Sequence, residues 1–209
     1  MGVCYIVGAG DCECIDFEKK KEDLIIAADG GYKHLLSANI TPDILIGDFD
    51  SLEAVPDTEN VIKLNPVKDI TDMNAAVELG IERGYADFMI YGATGGRIDH
   101  TVANIQLVAY LSKTGMRASL RNGKTVITAL TDGETAFDSS FKGYISVFAH
   151  SDICENVNIS GLKYNLENAV LKNDFSLGVS NEFIGKHSRI SVENGTLIII
   201  YDLKLLDIF

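Results

Sequence analysis

Aspartates recur in this sequence at one kind of place, directly after a short apolar run. Asp29-Gly30-Gly31 follows Leu24–Ala28, and Asp48-Phe49-Asp50-Ser51 follows Ile44–Ile46 and Gly47. Gly92 through Asp99 follows Phe88–Tyr91, and Lys68-Asp69-Ile70-Thr71-Asp72 comes shortly after Val61–Leu64. If these runs are strands of one parallel sheet, their carboxyl ends share one edge, where open α/β sheets bind ligands. The chain then gathers Asp29, Asp48, Asp50, Asp69 and Asp72 on one rim, with Asp99 nearby. Uncompensated carboxylates repel one another. A divalent cation relieves that repulsion, and an all-oxygen donor set suits Mg²⁺ better than Zn²⁺. Mg²⁺ in turn usually arrives with nucleotide phosphates. On an extended chain Asp48 and Asp50, two apart, project to one side and could share the metal. They would serve equally as turn residues closing a strand. Thr71-Asp72 reads either as a helix cap with dipole compensation or as part of the acidic set. Asp99 has the same two readings.

Gly92-Ala93-Thr94-Gly95-Gly96-Arg97 is a glycine-rich loop between an apolar strand and a helical pattern. Its N–H groups could cradle phosphate and Arg97 could clamp phosphate oxygens. The glycines could instead serve only a tight turn, with Arg97 a structural ion pair. Two familiar nucleotide signatures fail. Gly8-Ala9-Gly10-Asp11-Cys12-Glu13 lacks the third glycine of the dinucleotide fingerprint. Gly123-Lys124-Thr125 ends like a P-loop, but Ala118 stands where its first glycine belongs. Cys12-x-Cys14 has no partner pair at zinc spacing, and no Gly-x-Ser-x-Gly elbow occurs. His34 reads as packed or surface, and His100 sits beside Asp99 and Arg97.

The elements that must position these residues follow from periodicity. Val3–Val7, Leu24–Ala28, Ile44–Ile46, Val61–Leu64 and Phe88–Tyr91 read as strands. Tyr32, Leu35, Leu36 and Ile40, then Ile70, Met73, Ala76, Val77, Gly80 and Ile81, then Ile98, Val102, Ile105 and Ala109 recur at helical spacing. Such alternation predicts a Rossmann-like parallel sheet with helices on both faces, over residues 1–115. After Gly115 the pattern changes. Arg117–Arg121, Thr125–Leu130, Gly143–Phe148, Val157–Ile159 and Thr196–Tyr201 read as short strands. Asn122-Gly123, Asp132-Gly133 and Asn194-Gly195 suit tight hairpin turns. Residues 116–209 are therefore expected to form an antiparallel β-sandwich.

Composition narrows the partners. The chain has 209 residues and a net charge of −12, with 19 acids against 9 bases in residues 1–115. An acidic chain without a basic stripe is a poor nucleic-acid ligand. No stretch reaches the ~18 apolar residues that span a bilayer. Met1-Gly2-Val3-Cys4 has neither a basic segment nor a long apolar one, so no secretory leader is expected. Four cysteines are too few for a disulfide scaffold, which points to a reducing, cytoplasmic compartment.

Taken in order, the motifs resemble those of the thiamine pyrophosphokinases. The carrying residues are Ala28-Asp29-Gly30-Gly31, Pro42-Asp43 leading into Ile46-Gly47-Asp48-Phe49-Asp50-Ser51, Lys68-Asp69-Ile70-Thr71-Asp72, Gly92 through His100 with Asn104 behind it, Gly161-Leu162-Lys163-Tyr164, and Ser180-Asn181-Glu182. The resemblance implies an N-terminal catalytic domain and a C-terminal sandwich, paired in a homodimer with thiamine between subunits. It implies transfer of the pyrophosphoryl group of ATP to the thiamine hydroxyl, with release of AMP. Asp48, Asp50 and Asp72 match the family's metal-binding acids, and Arg97 and Asp99 its Gly-Arg-x-Asp motif. Asp29, Gly30, Ser51, Gly92, Thr94, Gly95 and Gly96 are then expected to contact the nucleotide. Lys68 and Arg97 would offset charge on the AMP leaving group, and Asp72 or Asp99 would take the hydroxyl proton. Ser180 and Asn181 match the Ser-Asn that faces the thiamine pyrimidine ring. The chain has no Trp, so stacking on thiamine falls to Phe or Tyr. Two other readings stay open: a Mg²⁺-dependent phosphotransferase or pyrophosphotransferase with another alcohol acceptor, and a non-catalytic nucleotide or thiamine sensor.

Overall fold

The computed structural model describes residues 2–49, 60–65 and 70–203. The chain divides into two compact units. One gathers the residues up to Leu107 together with Met116–Gly123, and the other Val108–Gly115 and the residues from Lys124 on.

The first unit contains β1 (Cys4–Val7), β2 (Leu24–Ala28), α1 (Gly31–Ser37), β3 (Ile44–Gly47), β4 (Val61–Lys63), α2 (Asp72–Glu82), β5 (Asp87–Tyr91), the start of α3 (Ile98–Lys113) and β6 (Arg117–Asn122). Its strands lie in the order β6-β5-β1-β2-β3-β4, and the ladders are parallel. Strands β1 to β3 are buried along their whole length, which is why they read as unbroken apolar runs. On one face Tyr5, Val7, Ile25, Ala27 and Leu45 pack with Leu35 of α1 and with Cys12, Ile15 and Phe17 of the segment after β1. Phe17 stacks on Tyr5 at 3.8 Å. The buried Tyr91 hydroxyl donates to Asp16 Oδ1 at 2.5 Å. Burial first, and then that carboxylate, push its pKa up.

Helix α2 starts at a Thr71 cap, whose Oγ1 accepts the Asn74 N–H at 3.1 Å. Its Gly80 lets the helix lie close to β1 and β5. A Cβ there would stand 2.7 Å from Phe88 Cε1 and 3.0 Å from Cys4 Sγ. Cys4 is fully enclosed, and burial pushes its thiol up to about 12.

One strand departs from the sequence expectation. Arg117–Arg121 was expected within the antiparallel half, but β6 pairs with β5 in parallel, from Asp87↔Arg117 to Tyr91↔Arg121. The reason is α3, the long crossover that a parallel neighbour requires. A short strand following a helix carries no local mark of which sheet will take it.

The second unit holds β7 (Thr125–Phe137), β8 (Tyr144–Ala149), β9 (Ile153–Ser160), β10 (Leu166–Lys172), β11 (Gly178–Glu182) and β12 (Ser188–Asp202), with antiparallel ladders throughout. Phe137, Ile145, Val147, Val157, Ile159, Ile190, Leu197 and Ile199 build its core. Strands β10 and β11 escape the sequence reading because both are marginal strands with broken registers and few buried side chains. Asp132-Gly133 and Asn194-Gly195 are not hairpin turns. They face each other inside the β7–β12 ladder, where the register jumps between Val192↔Gly133 and Thr196↔Thr131. Asp132 is left-handed at φ 45°, and its Oδ1 accepts the Gly195 N–H at 2.8 Å. This bulge lies where β12 changes partners, from β9 over residues 189–194 to β8 over residues 197–201. A bulge adds the local twist that such a change of sheet needs.

Gly80→Val is expected to lower the unfolding free energy by about 2 kcal/mol through overpacking against Phe88 and Cys4. Urea denaturation checks this, and an unchanged midpoint would mean that α2 can shift outward at no cost.

Candidate active site at the carboxyl edge

The loops that follow β1 and β5 are bonded to each other along their backbones. The Gly8 N–H donates to Tyr91 O, Gly10 N–H to Gly92 O, and Asp11 N–H to Thr94 O, each at 2.8 Å. Gly92 permits this approach, since a Cβ there would stand 2.1 Å from Gly8 O, and its φ is 58°. His34 of α1 steadies the first loop, its Nε2 donating to Gly10 O at 2.9 Å. Asn104 of α3 steadies the second. It is buried, and its Nδ2 donates to Ala93 O at 2.7 Å.

Between these loops and the ends of β2 and α2 lies a cavity of about 380 Å³. Of the nucleotide and catalytic residues expected from sequence, Asp29, Asp72, Gly92, Gly95, Gly96 and Arg97 line it. Gly30, Asp48 and Thr94 sit in the same edge loops, and Asp99 in the first turn of α3, without lining that wall. Asp50, Ser51, Lys68 and Asp69 lie outside the described residues. The cavity also takes in Gly8, Ala9, Gly10, Asp11, Met73, His100 and Asn104. Gly8–Asp11 was set aside for lacking a dinucleotide fingerprint. The signal that finds it is position, because it too follows an apolar strand.

The glycine loop has two kinds of glycine. At Gly95 (φ 77°) a Cβ would run into the Asp11 carboxylate, 2.0 Å from Oδ2. Gly96 (φ 54°) faces open space, so its backbone is exposed to whatever fills the cavity. Arg97 Nη2 donates to Asp99 Oδ2 at 2.5 Å and Nε to Oδ1 at 3.2 Å. That bidentate bond holds the Asp99 carboxyl below its usual range and raises the guanidinium further. Both groups are exposed. The pair is therefore fully formed above the ordinary Asp pKa of about 4, and is lost only as pH falls through the lowered value.

The turn after β3 differs from the extended segment assumed for Asp48 and Asp50. Phe49 is left-handed at φ 62°, with its ring buried to 5% exposure among Tyr5, Val7, Ile25, Leu35, Leu45 and Tyr91. A left-handed non-glycine residue costs roughly 1–2 kcal/mol. Burying a Phe ring contributes about 1.5–3 kcal/mol, enough to hold it there. Asp29 is also left-handed, at φ 47°. It packs on Gly47, where a Cβ would meet the Asp29 Cα at 3.0 Å.

The cavity wall thus carries the carboxylates Asp11, Asp29 and Asp72 against the single guanidinium of Arg97. These are hard oxygen donors with an excess of negative charge, which fits a divalent cation and disfavours a bare anion. Among the described residues no three His, Cys, Asp or Glu side chains converge as a ligand set.

In the second unit Ser180 and Asn181 lie on β11. Ser180 is exposed and left-handed at φ 60°, and its N–H donates to Ser146 Oγ at 3.1 Å. Asn181 is 4% exposed, and its amide is engaged with backbone. Oδ1 accepts from Tyr164 N (3.0 Å) and Glu182 N (2.9 Å), while Nδ2 donates to Tyr164 O (2.6 Å). Lys163 pairs with Glu182 at 2.7 Å beside this junction.

Gly92→Ala is expected to lower the melting temperature sharply, because its Cβ has no space against Gly8 O. Gly96→Ala meets only left-handed strain of about 1 kcal/mol and should melt close to wild type. Equal melting losses in a thermal scan would contradict this division of labour.

Comparison with known proteins places these features. Residues 17–120 match the thiamin pyrophosphokinase catalytic domain, and residues 132–197 match the thiamin pyrophosphokinase vitamin B1 binding domain. The chain is 32% identical over 185 residues to thiamine pyrophosphokinase of Bacillus subtilis (strain 168), covering 85% of this chain and 86% of that one. The crystal structure of thiamine pyrophosphokinase from Bacillus subtilis superposes with a TM-score of 0.85 at 30% identity, over 97% of this chain and all of that one. The thiamin pyrophosphokinase structure from Geobacillus thermodenitrificans gives 0.82 at 28% identity, over 97% and 98%.

Proposed function

The chain belongs to the thiamin pyrophosphokinase family, and we propose that the cavity at its carboxyl edge is where ATP is held and broken. The enzyme transfers the pyrophosphoryl group of ATP to the hydroxyl of thiamine, giving thiamine diphosphate and AMP. The observation that carries the site assignment is the juxtaposition on one cavity wall of an open glycine loop with Arg97 and of the carboxylates Asp29 and Asp72.

In this reading the thiamine hydroxyl oxygen bonds to the β-phosphorus of ATP. The bond from that phosphorus to the oxygen of AMP breaks, and the hydroxyl proton passes to a carboxylate. Such transfers depend on alignment and charge neutralisation more than on covalent help from protein. The N–H groups of Gly95 and Gly96 would cradle phosphate oxygens, with Gly92 and Thr94 shaping the loop and Asp29 and Gly30 bounding the nucleotide. Arg97 is aimed by Asp99, and together with Lys68 it would offset charge on the departing AMP. Asp72 or Asp99 would receive the proton, Asp72 from the cavity wall and Asp99 from beside Arg97. Mg²⁺ held by Asp48, Asp50 and Asp72 would supply neutralisation of the phosphate charge, and Ser51 stands next in that segment.

Thiamine would lie against Ser180, which is exposed on a left-handed turn. Asn181, with its amide occupied by the Tyr164 backbone, supports this turn from below. Tyr144, Tyr164, Val179 and Ile184 are exposed apolar side chains on or close to the β11 strand. They support a homodimer with thiamine between subunits. Among the described residues no helix is long and apolar enough to cross a membrane, and with the four free cysteines we read the location as cytoplasmic.

The deciding experiment incubates the protein with ATP, Mg²⁺ and thiamine and resolves the products. AMP and thiamine diphosphate are expected in equal amounts, with both lost on adding EDTA. ADP with thiamine monophosphate would instead indicate an ordinary kinase, and no thiamine-dependent product would favour another acceptor or a sensor. Asp72→Asn should abolish turnover in a folded protein. Ser180→Ala should raise the KM for thiamine more than that for ATP, and an unchanged thiamine KM would remove Ser180 from the pocket.

A further inference from the structure

Phe49 is a large aromatic residue in a backbone conformation that glycine or asparagine normally fills. A Phe persists there only where its surroundings over-determine it. Its ring lies in the core beneath the sheet, against Tyr5, Ile25, Leu35 and Tyr91, on the α1 face. Its backbone lies at the sheet's carboxyl edge, directly after Asp48. The neighbouring strand end is tied to the same place. The Asp29 N–H donates to Ile46 O at 2.8 Å, and Asp29 packs closely on Gly47, where an added Cβ would stand 3.0 Å from the Asp29 Cα. The ends of β2 and β3 thus form one shelf carrying Asp29 and Asp48, and the Phe49 ring is its anchor in the core.

We propose that Phe49 is a positioning residue for this reaction. Its buried ring holds residue 49 left-handed and so pins the backbone directly after Asp48 at the end of β3, where Asp48 would help to hold the cation. The inference rests on the assignment of Asp48 to the cation site. A glycine at position 49 would adopt the same φ without strain but would not hold it. Once the ring is absent, the turn samples other conformations and the backbone after Asp48 is no longer pinned. A residue supporting a metal ligand in this way typically changes metal affinity by about 10- to 100-fold when removed.

The test compares Phe49→Gly, which accepts the φ and removes the anchor, with Phe49→Leu, which keeps an apolar anchor. Circular dichroism and a cooperative melt establish that each is folded. Mn²⁺ binding is titrated by loss of the free-ion EPR signal, without nucleotide or turnover, and the Mg²⁺ requirement is measured separately at saturating ATP. Phe49→Gly is expected to bind Mn²⁺ about tenfold more weakly and to need about tenfold more Mg²⁺, with the thiamine KM unchanged. Phe49→Leu is expected to recover most of both losses. A folded Phe49→Gly with wild-type Mn²⁺ affinity and Mg²⁺ requirement would overturn the proposal, leaving Phe49 as core filling that shows only in the melting temperature. Wild-type protein that takes up no Mn²⁺ would overturn it as well. Failure of the functional reading looks different, because wild type would then bind Mn²⁺ yet form no AMP from ATP and thiamine.

Discussion

The edge of the sheet becomes a cavity because two loops run backbone against backbone. Three N–H groups of the segment after β1 donate to carbonyls at and just beyond the end of β5. The contact is so close that residue 92 has no space for a side chain. Loops lined up this way leave few orphaned polar groups, and they fix where the glycine loop opens. Gly92 is used up in making the contact, while Gly96 faces outward. Asn104 and His34 then tie the two loops to α3 and α1, so the site inherits the rigidity of these helices.

Left-handed non-glycine residues stand at candidate site positions as well as at Asn39, Asp132, Asn156 and Asn168. Asp29 and Phe49 are left-handed at two neighbouring strand ends, and Ser180 is left-handed on β11. Each is a side chain that must leave its strand in a direction that an ordinary strand exit would not give it. The surrounding burial offsets the cost, through the ring of Phe49 in one case and the fully engaged amide of Asn181 in another. The acids on the cavity wall leave an excess of negative charge that a counter-charge would offset. Arg97 supplies part of it from the described residues.

The parallel half was readable because its central strands β1 to β3 are buried on both faces and its loops begin at the strand ends. Position relative to a strand was a better guide than any motif. It brings Asp29, Asp72 and Arg97 to one cavity wall, and applied consistently to β1 it would have included Gly8–Asp11 as well. What could not be read was conformation that depends on distant packing. The left-handed turn at Phe49 comes from a ring filling the core, and nothing in Asp-Phe-Asp announces it. Asp132-Gly133 and Asn194-Gly195 have hairpin chemistry, yet each finds the other across a ladder and becomes half of a bulge. β6 is a strand by composition, and only the crossover before it decides its sheet. Asn181 reads as a ligand contact, but its amide serves the backbone of Tyr164.

Strand β12 has a consequence for how the second unit comes into being. It pairs with β7, β8 and β9, and its ladder with β7 joins residues as far apart as Thr125 and Asp202, 77 positions along the chain. Contacts of such long range are slow to form, since the intervening chain must be closed before they contribute. On a ribosome, β7 to β9 emerge with apolar inner faces and no strand to join them. This half of the molecule must therefore wait, exposed, for its final described strand, and is the half with most to gain from a chaperone.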